Sequence, residues 1–188
     1  LDLQRQGCHN INLVTPSHYV AQIIEALFIG ARQGLHIPLL YNTNGYDRVE
    51  TLRLLDGIVD IYLPDSKYAD DAVAARLSGF RGYVAANRAA LSEMRRQVSS
   101  SLLLDPEGIA VRGMVVRHLV LPNGLSQTPE VLRWIATALG RETWVSLMAQ
   151  YFPTHKTVGD ALLGRRLTSA EYDAARAALD ELGLEEGW

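Results

Sequence analysis

Five short stretches hold the residues able to do chemistry: Thr15-Pro16-Ser17, Asn42-Thr43-Asn44-Gly45, Asp65-Ser66-Lys67, Arg117-His118 and Gln150-Tyr151. Hydroxyls, amides, one carboxylate and two cations at consecutive strand ends suit a zwitterionic small molecule with ribose-like hydroxyls. Plainer roles stay open at several of these positions. Thr15 or Ser17 could cap the helix that follows, Asn44-Gly45 could form a turn, and Asp65 with Lys67 could be a private salt bridge. Arg117 is the least comfortable without a ligand, because a guanidinium in a strand otherwise built of Val, Leu and Met must find an anion or bear a desolvation cost. Lys67 at a strand end also suits a lyase of aldolase type that works through a Schiff base. A binding domain without catalysis is the third alternative.

Other reactive residue types carry less. Cys8 is the only cysteine, so the chain has no internal disulfide, no CxxC knuckle and no complete thiolate set for an iron–sulfur cluster. Its expected role is that of a small buried residue. His9, His18, His36 and His155 show no paired spacing for metal ligation, and Gly7, Gly30, Gly34 and Gly45 compose neither a GxGxxG nor a P-loop.

The composition agrees with a small-molecule partner. In 188 residues, 18 Lys and Arg stand against 21 Asp and Glu, a formal charge of −3 with no long block of either sign, which argues against nucleic acid and an anionic membrane. A hydrophobic content of 48% over this length can bury one core, so a single domain over 1–188 is expected. No apolar run approaches a membrane span and no basic segment precedes an apolar one at the start, so a cytoplasmic address is expected.

The elements that must position these residues alternate. Ile11 to Val14 reads as a strand, and the apolar rows 19/23/27 and 20/24/28 mark a helix closed by Gly34. Ile37 to Tyr41 and Ile58 to Leu63 read as strands, with Val49, Leu52 and Leu55 on a short helix and Val84, Leu91, Met94 and Val98 on a longer one. Asp105-Pro106-Glu107-Gly108 is turn chemistry between two apolar runs and predicts an inserted hairpin. Met114 to Leu121 then reads as a strand, Thr128 as the N-cap of a helix with Pro129 first, Trp144 to Met148 as the last strand, and Thr168 to Glu171 as the capping box of a final helix. That helix turns Tyr172, Ala175, Leu179 and Leu182 inward. Five such strands fit an open doubly wound sheet or part of a β/α barrel, and both bind ligands at the carboxyl ends of the strands. Leu1 to Gly7 reads as the end of a helix without its start, so the sequence is expected to be a truncated portion of a larger core.

Four segments in order resemble one family: Gly7-Cys8-His9-Asn10-Ile11-Asn12-Leu13-Val14-Thr15-Pro16, Tyr41-Asn42-Thr43-Asn44-Gly45-Tyr46, Asp60-Ile61-Tyr62-Leu63-Pro64-Asp65-Ser66-Lys67-Tyr68 and Val116-Arg117-His118-Leu119-Val120-Leu121-Pro122. They are similar to radical S-adenosylmethionine proteins related to pyruvate formate-lyase-activating enzyme, over nearly the whole chain. The resemblance implies an α/β fold, a partial parallel (β/α) barrel with a β-hairpin insertion, whose first strand and Cys-x-x-x-Cys-x-x-Cys loop are missing here. In the family that loop holds a [4Fe–4S] cluster that cleaves S-adenosylmethionine to a 5′-deoxyadenosyl radical; residues 1–188 alone are therefore expected to hold no cluster and to be inactive. The implied cofactor-binding residues are Thr15, Pro16, Asn42, Thr43, Asp65, Lys67, Arg117, Leu119, Gln150 and Tyr151. Thr15 and Pro16 replace the family's glycine-rich turn, and Asn42 stands where such enzymes often carry an acid. Glycyl-radical activation, and with it a protein substrate, is one role the resemblance allows. A missing first strand would leave the edge of Ile11 to Val14 open to self-association.

Overall fold

The computed structural model describes residues 1–186. In chain order its elements are α1 (Asp2–Arg5), β1 (Ile11–Val14), α2 (Val20–Arg32), β2 (Leu39–Thr43), α3 (Val49–Arg53), β3 (Ile61–Pro64), α4 (Asp71–Ser78), α5 (Tyr83–Val98), β4 (Leu103–Leu104), β5 (Ala110–Leu119), α6 (Thr128–Trp134), β6 (Trp144–Met148), α7 (Ser169–Leu182) and β7 (Glu185–Glu186). The sheet runs β1-β2-β3-β5-β6-β7 with every neighbour parallel, and β4 pairs antiparallel with β5. Sequential parallel strands with a helix in most connections follow from the alternation of the apolar runs.

Register decides which face each strand buries. Tyr41 stands beside Tyr62, Tyr62 beside Met114, and Val116 beside Val145. These residues and Leu147 meet Val20 of α2, Leu52 of α3, Leu91 and Met94 of α5, Leu132 of α6 and Leu179 of α7 in one core. Helices α2, α3, α5, α6 and α7 thus all pack on one face. Side chains alternate along a strand, so the other face carries Leu40 and Asn42, Leu63, then Val115, Arg117 and Leu119, and Trp144, Ser146 and Met148, all only partly buried. Parallel sheets ordinarily have both faces covered. The bare face is where the charged residues stand.

Several boundaries differ from expectation. β2 starts at Leu39 instead of Ile37, because the amides of His36 and Ile37 are drawn to the Gln4 side chain and Pro38 has no N–H to give. β3 starts at Ile61 instead of Ile58, since Ile58 and Val59 donate back to the Leu55 carbonyl in a turn. The hairpin turn forms as expected, with Asp105 accepting from Glu107 and Ile109. Its second arm, however, is no separate insertion: it is the start of β5, which runs unbroken to Leu119 and pairs with β4 and then with β3. Thr128 does not cap α6. Gln127 holds that position, and the Thr128 hydroxyl is buried against His118. Tyr19 and Phe28, placed on an inward row, are 62% and 64% exposed, so α2 buries a narrower stripe than its apolar content suggests. Cys8 is half-buried, and α4, capped by Asp70, and β7 had no clear periodic signal. Thr168 and Glu171 make their capping box as the sequence requires.

Among the described residues no helix is long and apolar enough to cross a membrane. β1 lies at one edge of the sheet, and among the described residues no strand pairs with its outer side.

Candidate functional site

The carboxyl end of β3 carries the polar centre. Asp65 bridges to Arg117 of β5, which places the two side chains directly opposite on the bare face. Arg117 Nη2 lies 2.7 Å from Asp65 Oδ1, and Lys67 Nζ is ion-paired with Asp65 Oδ2. One carboxylate therefore serves two cations, and the group as a whole keeps one positive charge. Arg117 Nε is buried without an acceptor, and Asp65 Oδ1, though close to the guanidinium, makes no hydrogen bond. Buried polar atoms are normally satisfied; Asp65 Oδ1 has the guanidinium beside it, so Arg117 Nε is the atom left for a partner supplied from outside. Leu119, Met148, Gln150, Tyr151 and Phe152 complete a cavity of about 410 Å³ around Asp65, Lys67 and Arg117.

The backbone beneath the charges is held from several sides. Asp65 N donates to Thr43 O at 2.9 Å, and Ser66 N to Arg117 O at 2.8 Å. Lys67 N donates to the Tyr83 hydroxyl at 2.8 Å. Asn87 of α5 donates from Nδ2 to Asp65 O at 2.8 Å and to Gly45 O at 3.0 Å, while its Oδ1 accepts from Ser66. His118 Nδ1 lies 2.6 Å from Ser66 O, and its Nε2 lies 2.9 Å from the Thr128 hydroxyl. A carbonyl can only accept, so Nδ1 carries the proton and Nε2 accepts from Thr128. Burial pushes this histidine's pKa down to about 4, against smaller upward effects from the Ser66 carbonyl and Asp65. It is a neutral structural post beside Arg117.

A second polar group lies at the ends of β1 and β2. Buried Asp47 accepts from Ser17, Tyr41 and Thr43, and Gly45 N donates to the Thr43 hydroxyl. Burial first, and then the Asp47 charge, push the Tyr41 phenol far above its ordinary range. Thr15 has a left-handed backbone (φ +54°), is exposed, and donates its amide to Asn42 O; Pro16 is buried beneath it.

Of the residues singled out in the sequence, the fold thus gathers Asp65, Lys67, Arg117, Leu119, Gln150 and Tyr151 around one cavity. Thr15, Pro16, Asn42 and Thr43 are not among its lining residues, and the Tyr151 hydroxyl is turned to Leu163 O at 2.9 Å. Met148 and Phe152 were missed, although the parallel register that sets Leu119 beside Met148 would place the first of them. Asp47 and Asn87 carried no sequence signal, since each acts on residues of other elements. The Lys67 amine is taken up by Asp65, which does not present it as a free nucleophile for a Schiff base. Among the described residues no group of three or more His, Cys, Asp or Glu is placed to hold a metal ion.

The two roles for Asp65 and Lys67 separate in a double-mutant cycle with Asp65→Asn and Lys67→Met. If each residue serves the ligand separately, each single variant should lower affinity and the two stability effects should add to within about 1 kcal/mol. Coupling well above that in urea melts, with ligand affinity intact in each single variant, would make the pair purely structural.

No protein-family model matches the chain. Over 185 residues it is 29% identical to the uncharacterized protein MJ0674 of Methanocaldococcus jannaschii, covering 97% of this chain and 49% of that protein, so the chain spans about half the length of the curated relative it matches. The crystal structure of a domain of pyruvate-formate lyase-activating enzyme from Bacteroides vulgatus superposes with a TM-score of 0.62 at 16% identity, covering 95% of this chain and 96% of that one. The chain therefore has a mixed α/β fold with a mostly parallel sheet, similar to that of a pyruvate-formate lyase-activating enzyme domain.

Proposed function

We propose that this chain is the S-adenosylmethionine-binding portion of a radical S-adenosylmethionine enzyme, folded as part of a β/α barrel. The observation that carries this is the group formed by Asp65, Lys67 and Arg117 on the bare face at the strand ends. Its surplus positive charge suits the ligand's carboxylate, Asp65 suits a hydroxyl or ammonium donor, and the unsatisfied Arg117 Nε suits an acceptor. Helices confined to one face, with sequential parallel strands, support a barrel segment over a doubly wound sheet. S-adenosylmethionine, when bound, would supply the reducible sulfonium and the adenosyl group. The residues of this chain bind and orient it: Arg117 and Lys67 fix the anionic end, Leu119 and Met148 exclude water, and the clamp through Asn87, Tyr83 and His118 holds the strand end rigid.

The cluster is a different matter. Residues 1–188 hold one thiol, ahead of β1, and the donors present do not fit a [4Fe–4S] cluster. Thiolates from elsewhere in the protein that carries this chain would have to supply it.

Calorimetric titration with S-adenosylmethionine tests the proposal. Arg117→Met should lower affinity at least about tenfold, on the order of 1.5–3 kcal/mol for a charge-assisted contact, with little change in melting temperature. Unchanged affinity with a large fall in melting temperature would mean that Arg117 serves the fold.

A further inference from the structure

A second cavity, of about 440 Å³, lies on the bare face toward the amino ends of the strands. Leu40, Leu63, Val115 and Trp144 form its floor, and the hairpin of β4 and β5 closes it with Leu102 and Leu104. Its size falls in the range of small-molecule sites, roughly 300–1,000 Å³. Asn10 and Ser146 are its uncharged polar side chains, and among the described residues Arg117 is the only charged one that lines it. Arg117 also lines the upper cavity, so its side chain borders both. An apolar floor on a parallel sheet is normally covered by helices; here a pocket with one cation at one end takes the place of that cover.

We propose that this lower cavity is a second ligand site, which takes a small molecule with an aliphatic body and a carboxylate head directed to Arg117. The charge balance selects the head: Asp65 neutralises only one of Arg117 and Lys67, and Arg117 Nε has no acceptor. An ammonium head would face an uncompensated cation, and a neutral head would leave the surplus charge unbalanced. The floor selects the body, because Leu40, Leu63 and Val115 offer no hydrogen bonds along their length. The site goes beyond the adenosyl ligand proposed above, and because both carboxylates would be directed to Arg117 the two ligands should compete.

Sodium decanoate is the probe, with decylamine and decanol as controls, followed by calorimetry and by tryptophan emission, to which Trp144 in the cavity floor contributes. Decanoate should bind, decanol should bind more weakly, and decylamine should not bind. Shortening to octanoate should weaken binding about fourfold per methylene removed. Ser146→Phe, which fills the cavity, should abolish decanoate binding. Leu104→Glu, at a hairpin position 41% exposed where folding tolerates charge, should repel the carboxylate and weaken decanoate at least tenfold. No decanoate binding at millimolar concentration, equal binding of decanoate and decylamine, or insensitivity to Leu104→Glu would each overturn the proposal. Failure of S-adenosylmethionine to bind, with decanoate binding intact, would sink the adenosyl proposal alone.

Discussion

Gly45→Ala should cost about 3 kcal/mol or more of folding stability and remove ligand binding at the Asp65 site. Gly45 has φ +72°, and a Cβ there would lie 2.1 Å from Asp65 O and 2.4 Å from Asn87 Nδ2. The first of these is backbone, so it cannot step aside without moving the residue that carries the carboxylate. The same glycine gives its carbonyl to Asn87, so the displacement would spread to the clamp over Ser66. Gly57→Ala is the control. Its φ is +77° and nothing lies within 4 Å of the added carbon, so it bears the left-handed backbone penalty alone, about 1–2 kcal/mol. Urea denaturation of both variants measures the difference, which belongs to the close approach of β2's turn to β3. Equal losses would mean that the overlap at Gly45 relaxes freely and that the strand end is not rigid.

Acid should weaken the fold well before the carboxylates titrate. His118 is fully buried, and its folded pKa of about 4 lies below the ordinary value of 6.5. Between those values the unfolded chain binds a proton that the folded chain refuses, so stability is complete above pH 6.5 and falls as pH drops toward 4. The full loss is on the order of 3 kcal/mol. Glu93 and Glu171, whose carboxyls Arg96 and Arg165 hold below the usual range, lose their contribution only below about pH 4.5, so the windows separate. Urea midpoints from pH 7.5 down to about pH 4.5 should fall steadily for the native chain. His118→Gln should start lower, because the Ser66 carbonyl and Thr128 hydroxyl lose well-placed partners, yet stay flat across the same range. A native profile that is level down to about pH 4.5 would show that His118 takes up its proton inside the fold.

What could be read directly in the sequence was local. The strand Trp144–Met148, the turn from Asp105 to Gly108 and the capping box of Thr168 and Glu171 stand where their residue types put them, because each signal and the structure it specifies lie within a few residues. Arg117 was conspicuous for the same kind of reason, a charge in an apolar strand. Boundaries shifted wherever a distant group competed: Gln4 takes the amides of His36 and Ile37 before β2, and Thr128 answers His118 instead of capping its helix. The site itself was decided by tertiary structure. Asp65 meets Arg117 because β3 and β5 pair in one parallel register, and a shift of one residue would turn either side chain to the helix-covered face. Asn87 reaches Gly45 and Asp65 only because α5 packs over β3, and the face left bare is the one opposite the helices. The sequence alone thus determined which elements form and which residues are chemically costly to bury. Register and layer order decided which of those residues share a cavity, since both arise from burial summed over many strands, which no local stretch encodes.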